Sequence, residues 1–201
     1  FWRTAARRGS LVVATAVATR MGTVDVAAHQ IAFEVWALLA LVLDALAIAG
    51  QAMIGRYLGA GSVAEARAAG RRLLEWGLLA GVVLGLAVAA AHPWLGRLFS
   101  TDPAVVALTG FVLLWVAAIQ PINGVVFVLD GLLIGAADMA FLARAMAVAA
   151  LVFLPCAGVV AALGLGIGWL WAALSLLMAT RLVLLWHRWR GDGWAVTGAL
   201  R

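Results

Sequence analysis

The chain has 201 residues, 66% hydrophobic and 11% charged, with a mean hydropathy of +1.09 and a formal net charge of +5. Soluble domains run at about 45–50% apolar and about 25% charged, so a single soluble core is excluded and a bilayer is the solvent that fits. All fourteen basic residues are Arg, and they cluster at the ends of apolar runs, which reads as membrane topology rather than a nucleic-acid surface.

A crossing needs about 20 mostly apolar residues, and six are predicted in chain order. The first, 9–27, is interrupted by Arg20 and Asp25. The second, 31–54, carries Asp44. Before the third, 74–91, Ser62 and Glu65 have the spacing of a capping box. Asp102 and Pro103 make an N-cap and a first-turn proline for the fourth, 104–135, in which Pro121 should kink the helix and leave carbonyls free. The uncharged stretch 145–180 is too long for one crossing and splits at GLGIG (164–168) into spans 145–163 and 167–187. The predicted fold is thus an all-α integral membrane bundle of six transmembrane helices over 1–190, with a cytoplasmic tail at 191–201.

With the N-terminus in the cytoplasm, Arg3, Arg7, Arg8, Arg56, Arg67, Arg71, Arg72, Arg144, Arg181, Arg188, Arg190 and Arg201 fall on or near the inner side, against Arg20 and Arg97 outside. Trp94, Trp169 and Trp171 would form the outer aromatic belt, and Trp76, Trp186 and Trp189 the inner one. Phe1 opens directly onto Trp2 and Arg3 with no starting Met, the look of a chain continued from something longer.

Two carboxylates stand in apolar surroundings. No charge precedes Asp130 from Ala104 to Leu129. An ionised Asp at a helix centre costs roughly 2.5–3.5 kcal/mol on the insertion scale. Desolvation favours the neutral acid, and a carboxyl that changes protonation with access to water suits proton coupling. VLDALAIAG (42–50) echoes VLDGLLIG (128–135), a weak internal repeat. Counting to Arg56 and Arg144 puts both Asp at similar depth, ~18–21 Å from the inner Arg. At 100° per residue, Gln30, Glu34, Asp44 and Gln51 share one stripe, and Gln120, Asn123, Phe127 and Asp130 share another. The stripes are either hydrogen-bonding glue between helices or the lining of a water-filled cavity, and two carboxylates favour the cavity.

Elsewhere the expectations are plain. His29 reads as a wet interface residue, and Glu75 as a surface ion-pair partner of Arg71 or Arg72. The single Cys156 permits no intrachain disulfide and no Cys metal site. Metal-hydrolase, nucleophile-elbow and P-loop motifs are missing, and the contexts of Asp44 and Asp130 are not those of an intramembrane aspartyl protease. No enzyme, catalytic residue, cofactor or metal is expected.

AAHQIAFEVW (27–36), VLDALAIAGQAMIGRYLGAG (42–61), LFSTDPAVV (98–106) and QPINGVVFVLDGLLIGAADM (120–139) together resemble the multidrug and toxic compound extrusion (MATE) family. They are most similar to the branch named for DNA-damage-inducible protein F. The resemblance covers nearly the whole chain and matches helices seven to twelve of a twelve-helix transporter, its C-terminal lobe. It implies export of small organic, often cationic compounds in exchange for H⁺ or Na⁺, in a bacterial plasma membrane, with an N-terminal lobe as partner alongside lipid and substrate. Asp130 falls where the family carries a helix-ten Asp used in cation coupling. The helix-seven carboxylate of the Na⁺-binding members has no counterpart here, which favours H⁺. The expected roles are cation coupling at Asp130 and Asp44; cavity lining by Gln30, Glu34, Gln51, Gln120, Asn123 and Phe127; and a kink at Pro121. A lipid-linked sugar flippase shares the architecture, but such proteins line their cavity with Arg, and the sequence suggests none at mid-membrane. A truncated, inert membrane module is the third possibility.

Overall fold

The computed structural model describes residues 2–197, and the side chains of Trp2, Arg3, Thr4 and Arg7 lie outside the described residues together with Phe1 and 198–201. Among the described residues six helices run in order: α1 (Trp2–Met21), α2 (Thr23–Gly59), α3 (Val63–Phe99), α4 (Pro103–Gly135), α5 (Met139–Ala162) and α6 (Ile167–Arg190). Five are long and apolar enough to cross a membrane; α1, which carries Arg8 and Arg20, is not among them.

Local chemistry sets most of the boundaries. Asp102 caps α4, its carboxylate accepting the Ala104 N–H at 2.8 Å, with Pro103 in the first turn. The predicted capping box fails, because Ser62 makes no side-chain cap bond at the start of α3. The first predicted span is corrected as well: the chain breaks at Gly22, not near Ala27. Gly22 has φ 148° and ψ 172°, a region open essentially to glycine alone. α2, α4 and α5 end on the same device, in which the residue after the cap turns left-handed and the next N–H returns to the last turn. These bonds run Ser62 N to Tyr57 O, Asp138 N to Leu133 O and Leu165 N to Val160 O, at 2.9–3.0 Å.

α4 is the axis of the bundle, packed against α3 on one side and α2 on another. Small residues let the backbones touch. A methyl added at Gly81 would lie 2.4 Å from the Gln120 carbonyl oxygen, and one at Gly131 would lie 2.1 Å from that of Ala47. A methyl at Gly85 would lie 2.6 Å from the oxygen of Ala117, the carbonyl that Pro121 leaves without its usual donor. α4 nevertheless remains helical through Pro121. The two halves of the sequence repeat therefore pack on each other, α2 and α4 being parallel in the register Ala47–Gly131 and Gln51–Gly135.

α5 and α6 pair, and α1 closes the circuit against α5, α2 and α6. The turns α2–α3 and α4–α5 and the end of α6 gather at one pole, which holds most of the Arg; Arg20 and Arg97 lie toward the other. Two expected neighbours of the basic pole stand elsewhere. The Thr15–His29 contact fixes the antiparallel register of α1 on α2 and places Arg8 level with Trp36. Arg181 is buried inside the bundle. Residues 191–197 of the expected tail also fold back. Trp194 is buried, stacks on Trp189 at 4.4 Å and donates to the Trp189 carbonyl, while Arg67 lies over its ring and pairs with Asp192.

Candidate functional site

Within the ring of α1, α2, α4, α5 and α6 lies a cavity of about 250 Å³. Its lining along α2 runs from Phe33 and Trp36 to Asp44, and along α6 from Trp171 to Arg181. At ~1.5 Å per residue each wall spans roughly 15 Å. One end is aromatic and apolar; the other holds Asp44 and Arg181. Met146 and Met178 add deformable apolar surface between them.

Arg181 is the organising residue. Its guanidinium donates to the Asp130 carboxylate, and their side chains are 9% and 18% exposed, so most water is excluded from the pair. A second guanidinium nitrogen contacts the Met178 sulfur at 3.3 Å. The lone carboxyl expected at Asp130 is therefore an ion pair, and the expected lack of Arg inside the bundle does not hold. The depth expectation changes too. Asp130 lies only about five residues, roughly 7–8 Å, from the end of α4, because the count to Arg144 ran through the turn into α5. The small-residue register still sets Asp44 level with Val128, close to Asp130.

The predicted lining divides. Asp44 and Phe127 line the cavity. Gln120 and Asn123 are fully buried away from it; Asn123 donates to Gln120 at 3.4 Å, leaving Gln120 Nε2 and Asn123 Oδ1 without partners. That bond lies within α4, so these two side chains neither line the cavity nor bond across to a neighbouring helix among the described residues. Gln30, Glu34 and Gln51 are exposed on the surface of α2, with Gln30 donating to Glu34 at 3.3 Å, and none of them lines the cavity. His29 is no wet interface residue: it is 1% exposed, beside Thr15 and tilted against Trp171 at 5.7 Å. Trp171 and Trp189 are buried rather than in the aromatic belts, whereas Trp76, Trp94, Trp169 and Trp186 are exposed. Asp138 is buried against Arg188 at 2.7 Å. Glu75 forms no ion pair among the described residues. Arg181, Trp36 and Trp171 were the residues sequence reasoning missed. The available signal was that apolar Leu182–Trp186 follows Arg181, so Arg181 could not mark the end of a span.

A family model described as MatE matches residues 9–159. The chain belongs to the MatE family. Among MatE relatives, Protein DETOXIFICATION 45, chloroplastic, from Arabidopsis thaliana is 33% identical over 92% of this chain and 33% of its own length. Protein DETOXIFICATION 44, chloroplastic, from the same plant is 36% identical over 90% and 34%. The chain thus spans about a third of the length of the curated relatives it matches. A MATE protein solved in complex with MaD3S superposes on the whole chain with a TM-score of 0.88 at 20% identity, over 46% of that structure. A MOP superfamily transporter from Pyrococcus furiosus does so with a TM-score of 0.85 at 20% identity, over 45%. The MatE fold is therefore that of a multi-pass membrane protein.

Proposed function

We propose that the chain is the C-terminal six-helix lobe of a secondary antiporter that exports small organic, often cationic compounds in exchange for H⁺. The carrying observation is the Asp130–Arg181 pair beside a cavity that also holds Asp44. Asp44 and Asp130 bring two carboxylates to the end of the cavity that Arg181 occupies. A proton neutralises the coupling carboxylate, or an organic cation pairs with it, but not both. Mutual exclusion of this kind is what exchange requires. The aromatic end supplies apolar and cation–π contacts for an amphipathic cation. H⁺ is proposed over Na⁺ because 2–21 carries no carboxylate to complete a metal site with Asp130.

Gln30, Glu34 and Gln51 lie on a face of α2 that this chain leaves open, and in the proposed two-lobe transporter they line the cleft toward the N-terminal lobe. The basic pole faces the cytoplasm of a bacterial cell, by the positive-inside rule. Asp130→Asn in the two-lobe transporter removes the titrating group at near-constant size. Proton-driven efflux of an organic cation from vesicles should fall to background while membrane insertion stays normal. Efflux at the original rate would rule out Asp130 as the coupling group.

A further inference from the structure

A second cavity, about 520 Å³, opens toward the basic pole between α3, α4 and α6, and it shares no residue with the first. Leu74, Leu78, Val125 and Trp186 wall it, and Arg71 and Arg190 stand at its mouth. Arg67, also at the groove, is committed to Asp192, the Gly191 carbonyl and the Trp194 ring. Among the described residues, neither the Arg71 nor the Arg190 side chain has a hydrogen bond or ion pair. Two exposed guanidiniums therefore face a single carboxylate, Glu75.

The setting is a bilayer interface. Trp76 and Trp186 are 58% and 41% exposed at this height, the position of an aromatic belt. From the groove, exposed Leu78, Val82 and Leu86 continue along one stripe of α3 at four-residue spacing. Charge at the mouth and an apolar track leading into the membrane are the two halves of a lipid site.

We infer that this groove binds one acidic phospholipid, with Arg71 and Arg190 on its phosphodiester and an acyl chain along Leu78, Val82 and Leu86. Guanidinium matches phosphate geometry through paired N–H donors, and a headgroup with its own ammonium loses part of that attraction. The inference needs the membrane fold but not the transport reading.

Native mass spectrometry tests it. The purified chain, released from dodecyl maltoside after incubation with equimolar phosphatidylglycerol and phosphatidylcholine, should retain the former by about tenfold, a difference of roughly 1.4 kcal/mol. The Arg71→Gln/Arg190→Gln double variant, whose changes are on the surface and should leave the melting temperature unaltered, should drop that ratio to near unity. Arg20→Gln/Arg97→Gln, toward the other pole, should preserve it. Soluble glycerophosphoglycerol should not displace the lipid, since it lacks the acyl chain. Equal retention of both lipids, no retention of either, an unchanged ratio in the Arg71/Arg190 variant, or displacement by the soluble headgroup would each overturn the inference.

Discussion

Asp130 and Arg181 are 51 positions apart and share a charge pair that neither could carry alone in this environment. Removing one partner of a buried pair leaves the other uncompensated, at roughly 3–5 kcal/mol. Asp130→Asn and Arg181→Gln should each lower stability, Asp130→Asn by the larger amount because the guanidinium left behind cannot shed its charge, whereas a bare carboxylate can take up a proton. The double variant should recover most of the loss, as a double-mutant cycle in denaturant would show. Transport should not recover with stability in the double variant, since the proposed coupling carboxyl is still missing; that split separates coupling from packing. A carboxylate in an apolar run was legible from the sequence, and so was its helical phase. Its partner was not, because pairing between helices four and six is set by tertiary register, and no local pattern in α6 reports which neighbour Arg181 faces.

At the scale of the element, Ala137 stands out in the α4–α5 turn. It holds φ 57°, where α2 and α5 place Gly61 and Gly164 at the equivalent step. An L-residue there costs roughly 1–2 kcal/mol, so Ala137→Gly should stabilise the chain by about 1 kcal/mol, read as an upward shift in melting temperature. The opposite change belongs to the α3–α4 seam. Gly81→Ala sets a methyl 2.4 Å from a backbone oxygen that cannot rotate away, and should destabilise by about 1–3 kcal/mol with loss of α3 protection in hydrogen exchange. Helix starts were legible where side chains carry them, as at Asp102 and Pro103. They were not where backbone alone decides: Gly22 interrupts an apolar pattern that continues past it, and Ser62 with Glu65 has the spacing of a box that does not form. The folded-back 191–197 segment was hidden for another reason. Trp194 finds its site on Trp189 and Arg67, residues that only the assembled pole brings together.

For the whole molecule, composition and Arg distribution were enough to read a six-helix membrane bundle, and the parallel contact of α2 with α4 gives the internal repeat a physical meaning. The two repeat segments bring Asp44 and Asp130 to neighbouring heights beside Arg181. From that placement follows the proposal that a proton and an organic cation exclude each other in the cavity. Titration calorimetry of the purified chain with tetraphenylphosphonium, repeated in buffers of different ionisation enthalpy near the pH at which the site is half protonated, measures protons displaced on binding. Cation binding should release protons, up to about one per cation as the site becomes fully protonated, and none in Asp130→Asn. Binding with no proton release in the unaltered chain, or the same release after Asp130→Asn, would contradict that proposal.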